Sequence, residues 1–373
     1  MNFDYNEEQQ LLADSVRRFL ARDYDFETRR KIVASDAGWS APAWATLAEM
    51  GVTGLPLPAE QGGFGGGAVD LMGVMEAFGE ALLVEPVLAT YIGARLIARA
   101  GSDAQRQSLL PQVVEGKLRL ALAHTERGAR YNLAQVKTEA KPAAGGWELN
   151  GEKAVVLGAP LAEKIVVSAR SAKGVSLYVA DRSALGVKAY RTLDQMRAGD
   201  VTLKSVRVGA DALLGREGEA QPLIEEALDF ATALVCAEAV GAMKFSCDTT
   251  LEYLKTRKQF GVPIGTFQAL QHRMVDMYVA YEQAKSMACV ACSKVDNAAD
   301  ARERQLAVSA AKIKISDNCR LVSQESVQLH GGMGMAEELK VSHAFRRLTV
   351  IAQQFGDAEH HLARFAALDR VAA

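Results

Sequence analysis

Several groups of residues in this chain have types, and in places spacings, that chemistry could use. Cys289-Val-Ala-Cys292 has the spacing of a redox or zinc pair, His360-His361 offers two imidazoles, and His124 offers an acid–base group. Gly62-Gly63-Phe64-Gly65-Gly66-Gly67 offers bare backbone for a phosphate. Each lacks a necessary companion. The cysteine pair lies in a helical run (Met277, Tyr281, Ala284, Ala288) with no second Cys or His pair nearby, which reads as buried helix thiols. Adjacent histidines on a helix point about 100° apart, and nothing is spaced to complete their ligand set, so no metal is expected. No nucleophile partners His124, which reads as a packed strand residue. The glycine cluster lacks a following Lys-Ser/Thr and a preceding strand, and reads as a turn. Two further strings carry directed donors. Arg257 with Gln268, and Gln328 with Gly331-Gly332, combine a guanidinium, two carboxamides and backbone able to approach a bulky anion. A helix-ending glycine pair and a surface arginine would look the same.

These residues need elements to position them. The 373 residues suffice for two or three domains, and 49% apolar with 24% charged residues is an ordinary globular composition. The net charge of −2 disfavours nucleic acid as a partner. The 31 glycines and few aromatics favour close helix packing. Five cysteines without a paired framework argue against disulfides. The acidic, polar start Met1-Asn2-Phe3-Asp4-Tyr5 is no signal peptide, and no uninterrupted apolar run is of membrane-spanning length, so a cytoplasmic protein without membrane contact is expected.

Leu11, Leu12, Val16, Phe19 and Leu20 recur at helical spacing behind an Asn6 cap, predicting a helix pair over residues 4–35. Helical patterns continue through Trp44 and Leu47, then over 69–100 and 103–115. From about residue 118 the period shortens. Runs at 118–123, 147–150, 154–157, 164–169, 175–180, 187–190 and 200–208 predict strands. Long helical patterns return after 217, with a last segment from His343. The expected fold is α+β: an N-terminal helical domain (1–117), a central small β-barrel-like domain (118–215) and a C-terminal four-helix bundle (216–373).

Arg257-Lys258-Gln259-Phe260-Gly261-Val262-Pro263-Ile264-Gly265-Thr266-Phe267-Gln268 resembles the R-x-x-F-G-x-x-I-x-x-F-Q junction of the acyl-CoA dehydrogenase family. Gln328-Leu329-His330-Gly331-Gly332-Met333-Gly334 resembles its Q-x-x-G-G-x-G element, and the helical–β–helical order agrees over nearly the whole chain. The resemblance implies FAD as cofactor, acyl-CoA as substrate and α,β-desaturation as reaction. It implies FAD contacts at Arg257, Phe260, Gln268, Gln328, Gly331, Gly332 and Thr125, and a contact to the coenzyme A portion at Asp229. It also implies an oligomer in which the bundle reaches a neighbour's ADP moiety, with an electron-transferring flavoprotein as acceptor.

The family's flavin-ring segments are altered here. Thr125 and Glu126 persist, but in Arg127-Gly128-Ala129-Arg130-Tyr131-Asn132 the family's proline and its glycine-serine-aspartate run are lost. In Lys153-Ala154-Val155-Val156-Leu157 the flanking Trp becomes Val155 and the hydroxyl residue Leu157. The two positions at which relatives keep a glutamate base hold Phe355 and Ala231. Asp357 is the nearest substitute carboxylate. The pattern resembles the small subunit of two-chain members, such as pimeloyl-CoA dehydrogenase and the bacterial steroid side-chain dehydrogenases. It implies a homologous partner subunit that supplies base and ring site; the alternatives are a homotetramer using Asp357 and a non-catalytic scaffold.

Overall fold

The computed structural model describes residues 5–370; the outermost residues of the expected outer domains, and residue 4 of the expected helix pair, lie outside them. Helix α1 (Glu7–Asp23) begins on a capping box in which Asn6 and Gln9 exchange side chain-to-backbone hydrogen bonds. It buries Val16, Phe19 and Leu20, while Leu11, expected on the same face, is largely exposed. Helix α2 (Phe26–Ala34) completes the pair, followed by α3 (Ala41–Glu49). The pattern over 69–100 is two helices, α4 (Ala68–Ala81) and α5 (Val87–Ala100). They are separated where Leu82 takes a left-handed φ of 57° and Pro86 precedes α5, a stop that hydropathy alone does not register. Helix α6 spans Asp103–Val114.

The middle of the chain is one eight-stranded sheet in the order β6-β7-β3-β2-β4-β5-β8, with β1 (Leu120–Ala123) parallel to β4 (Lys164–Ser171). The expected small β domain is thus this sheet, with β6 (Gly186–Arg191) and β8 (Leu213–Leu214) at the two ends of its strand order. The runs at 147–150 and 154–157 join into β3 (Gly146–Leu157), which pairs with β7 (Arg197–Gly209) across two register shifts. Strand β5 is Gly174–Asp181. Strand β2 (Glu139–Ala143) went unmarked because Glu-Ala-Lys-Pro-Ala carries charge and proline where strands favour β-branched residues.

Beyond the sheet run α7 (Gln221–Thr256), a hairpin β9 (Lys258–Gln259) and β10 (Val262–Pro263), α8 (Gln268–Asn297) and α9 (Ala301–His330). The last expected segment is two helices, α10 (Lys340–Gln353) and α11 (Ala358–Arg370), both packed on α9. An 18-residue stretch of α7 reaches a mean hydropathy of 1.4, yet 89% of it is buried within the protein. That is the setting of a core helix. All five cysteines are free and buried.

By packing, the chain forms two compact units that cut across its sequence order. One comprises residues 1–31, 68–83 and 232–373, the other 32–67 and 84–231. The second unit holds the sheet, whose core includes Leu149, Ile165, Val167, Tyr178 and Val201. In the same unit Arg95 forks onto Glu226 at 2.5 and 3.0 Å and stacks on the Phe230 ring, tying α5 to the start of α7.

Candidate functional site

On the sheet, the segment after β1 carries a buried polar cluster. Glu126 accepts the Lys153 ammonium at 2.7 Å, the backbone N–H groups of Lys137 and Thr138 at 2.7 and 2.9 Å, and the Thr138 hydroxyl at 2.7 Å. Lys153 also donates to Ser168 Oγ at 3.0 Å. Ser168 Oγ also lies 2.9 Å from His124 Nδ1, extending the cluster to the imidazole. Burial, seconded by the Lys153 charge, brings His124 down to about 4, so it is neutral at pH 7 and serves the cluster rather than acid–base chemistry. Burial by itself raises the Glu126 carboxyl, but the Lys153 hydrogen bond and the Thr138 N–H outweigh it and hold Glu126 near 2. Burial lowers Lys153 to about 8, and the pair is ionic at pH 7.

This cluster predicts acid sensitivity. A carboxyl held near 2 when folded and near 4.5 when unfolded contributes about 3 kcal/mol above pH 4.5, and loses it as pH falls from 4.5 toward 2. Denaturant melts at pH 6 and pH 3 should show this loss, and Glu126→Gln, weaker at pH 6, should lose less between the two. Equal slopes in both proteins would contradict the assignment.

The residue in place of the ring-flanking Trp sits on a bulge. Ala154 and Val155 interrupt the pairing of β3 with β7, and Val155 has φ 53°, a conformation β-branched residues rarely adopt. Asp200 fixes it by accepting the Val155 N–H at 3.1 Å, the Tyr190 hydroxyl at 2.9 Å and Arg127 at 2.8 Å. Ala154 N–H donates to the Thr125 carbonyl at 2.8 Å, joining the two altered segments. Val155 and Thr125 are exposed. Asp200 was not singled out from the sequence, because a lone aspartate in a strand run carries no local signal. A cavity of about 350 Å³ lies beside this cluster, lined by Glu126, Lys137, Lys153, Lys188, Asp200 and Thr202 among others.

In the other unit, Arg257 follows the end of α7 and is exposed. Phe260 and Gly261, with φ 53° and 81°, form the two-residue turn of the β9–β10 hairpin, the left-handed pair of a type I′ turn. Phe260 is 91% exposed and meets Phe267 edge-on at 6.2 Å. Gln268 opens α8, and Gln328 lies in the last turn of α9; both are exposed. Gly331 (φ 61°) ends α9, and a Cβ at Gly331 or Gly332 would meet nothing within 4 Å. Six of the seven predicted cofactor contacts thus lie exposed in one unit, while Thr125 lies in the other.

Asp229 and Ala231 are buried on α7. Phe355 is half-buried with φ 61° in the turn between α10 and α11. Asp357 accepts the His360 N–H at 2.8 Å, which engages its carboxylate at the start of α11. His361 is buried and His360 half-buried. Among the described residues no group of three or more His, Cys, Asp or Glu is gathered to hold a metal ion.

An exposed guanidinium, two exposed carboxamides and open glycine backbone suit the phosphate and ribose oxygens of FAD's ADP half. On the ring side Val155 and Leu157 leave neither an aromatic wall nor a side-chain donor, and the Thr125 hydroxyl is what persists. Helices, sheet and bundle in this order, with such a donor-rich bundle surface, define a flavin-dependent oxidoreductase. The chain belongs to the acyl-CoA dehydrogenase family: its N-terminal, middle and C-terminal domain models match residues 6–117, 121–207 and 221–367. Acyl-CoA dehydrogenase FadE12 of Mycobacterium tuberculosis is 31% identical over 358 residues, covering 91% of this chain and 90% of the relative. The solved Tcur3481-Tcur3483 steroid ACAD variant is 30% identical, with a TM-score of 0.88 over 98% of this chain and 99% of that one. PigA with FAD and proline is 25% identical, with a TM-score of 0.92 over all of both chains. The family uses FAD, as the PigA complex illustrates.

Proposed function

We propose that this chain is the subunit lacking the usual base in a heteromeric, cytosolic, FAD-dependent acyl-CoA dehydrogenase. FAD, when bound, supplies the hydride acceptor for the substrate's β-carbon. The α-proton then needs a carboxylate in a dry pocket. The observation that carries the proposal is Phe355 at the base position, together with Ala231 at the other position and Asp357 engaged by the His360 N–H. This chain's part is to offer Arg257, Gln268, Gln328 and the Gly331-Gly332 backbone to a partner's ADP moiety. The exposed apolar residues Val275, Tyr278 and Val279 of α8 supply surface for that partner. The paired designation of the steroid ACAD relative supports a two-chain assembly and a bulky acyl-CoA thioester as substrate, with an electron-transferring flavoprotein as acceptor.

The test is expression alone and together with a homologous chain that keeps the glutamate. The chain alone should retain little flavin and reduce an artificial acceptor at least about 100-fold more slowly than the assembly, the usual weight of a positioned base. Arg257→Ala with Gln328→Ala in this chain should strip flavin from the assembly. A yellow, active single chain would overturn the proposal, and full flavin content in the double variant would overturn the cross-subunit contact.

A further inference from the structure

Three buried or half-buried side chains grip three consecutive residues of the turn between α10 and α11. Arg347 Nη1 lies 3.4 Å from Gln354 Oε1, His361 Nε2 lies 3.2 Å from the Phe355 carbonyl, and Lys312 Nζ donates to the Gly356 carbonyl at 2.8 Å. Lys312 also donates to the carbonyls of Ile351 and Ala352 at 2.9 and 3.1 Å, closing the end of α10. Its side chain is fully buried. The Phe355 carbonyl can only accept, so His361 Nε2 donates to it, and Nδ1, 3.3 Å from the Ser309 hydroxyl, is the ring's acceptor. Gly356 has φ 125°, and a Cβ there would come within 2.6 Å of the His361 ring.

A helix can stop without any of this. Its last carbonyls are readily satisfied by water, and burying an ammonium is costly unless all its protons are used. Here two contacts close the end of α10, one reaches Ser316 Oγ at 3.3 Å, and one holds the Gly356 carbonyl next to Phe355, whose φ of 61° is costly for a non-glycine residue and is over-determined by the three side chains together. Such over-determination is what directing one side chain requires, and a bare chain reversal does not need it.

We propose that Lys312 is a positioning residue, which with His361 and Arg347 locks residues 354–356 so that the side chain at 355 is presented in one orientation whatever its chemistry. This rests on the reading of the chain as an acyl-CoA dehydrogenase subunit whose base position is 355. The clamp is intact and its occupant is apolar. A carboxylate placed there by Phe355→Glu takes the α-proton of a bound acyl-CoA. The C–H bond breaks, its electron pair stays in the thioester enolate, and in deuterated water a deuteron returns to carbon, with no oxidant needed.

The full chain carrying 4-fluorophenylalanine at 355 as its one fluorine label tests the clamp without any ligand. One dispersed fluorine resonance is expected in the parent. In Lys312→Met, with helix content retained by circular dichroism, the line should split or move toward the free amino acid. An unchanged line in folded Lys312→Met overturns the proposal. Should that variant not fold, His361→Gln, which restores a donor, should keep the line and His361→Ala should lose it; identical lines in both overturn it equally. Phe355→Glu should raise α-hydrogen exchange of octanoyl-CoA about 100-fold over the parent, and adding Lys312→Met should abolish the gain. Calorimetric binding of octanoyl-CoA on the same sample separates the two failures. Bound thioester without exchange refutes presentation of residue 355 to substrate. Absent binding counts against an octanoyl-CoA site in this chain by itself, and the fluorine line still decides the clamp.

Discussion

Glu238→Ala is expected to lower the unfolding free energy by about 3–5 kcal/mol, the range for a buried ion pair losing one partner. Glu238 on α7 and Arg347 on α10 are 5% and 4% exposed and meet fork to fork, Nε to Oε1 and Nη2 to Oε2 both at 2.6 Å. Removing the carboxylate takes the bidentate anionic partner from a buried guanidinium that cannot lose its proton. The effect belongs to the stranded charge more than to the pair. Glu238→Leu with Arg347→Met should therefore recover much of the loss, and the double-mutant cycle should show a large coupling. Denaturant unfolding of all four proteins checks this, and a single-variant loss below about 1 kcal/mol would contradict it. Because Arg347 also reaches Gln354, its removal should loosen the turn that holds Phe355.

Gly241→Ala should also destabilise strongly, at or above the upper end of the roughly 1–3 kcal/mol typical of overpacking. A Cβ at Gly241 would lie 1.8 Å from the Glu76 carbonyl oxygen, and one at Gly79 would lie 1.9 Å from the Glu238 carbonyl oxygen. The contact is reciprocal, so α4 and α7 cross backbone to backbone. No rotamer change relieves a clash with a carbonyl; a helix must move. Gly332→Ala is the control, because its Cβ would meet nothing within 4 Å and should leave stability unchanged. Thermal melts of the two variants side by side decide it. Equal melting temperatures would mean that the crossing yields without cost.

The glycine-rich composition thus has two separate origins, which counting cannot distinguish. Gly79 and Gly241 serve a helix crossing, whereas Gly331 serves a left-handed helix end. The donor string from Arg257 to Gln268 was legible because turn and helix start are local, and Phe260-Gly261 lies within one hairpin. The cluster around Glu126 was only half legible. Thr125, Glu126 and Lys153 lie in the two family-like segments, but the bonds from Lys153 to Glu126 and Ser168 span 27 and 15 residues. Lys312 left one overlooked trace, a charged residue in the stripe Val308, Ile315, Cys319 and Val322 that α9 buries.

The sequence by itself determined the order of helices, sheet and bundle, the donor-bearing strings, and the absence of a carboxylate at 231 and 355. Periodicity, capping and residue identity are properties of the chain taken a few residues at a time. Only the tertiary structure decided that β2 completes the sheet, that Asp200 pins the Val155 bulge, that Asp357 is engaged at a helix start, and that Lys312 holds the Phe355 turn. Those outcomes turn on distances between groups 3 to 45 residues apart, and on which charges lose their water. Spacing along the chain carries neither quantity.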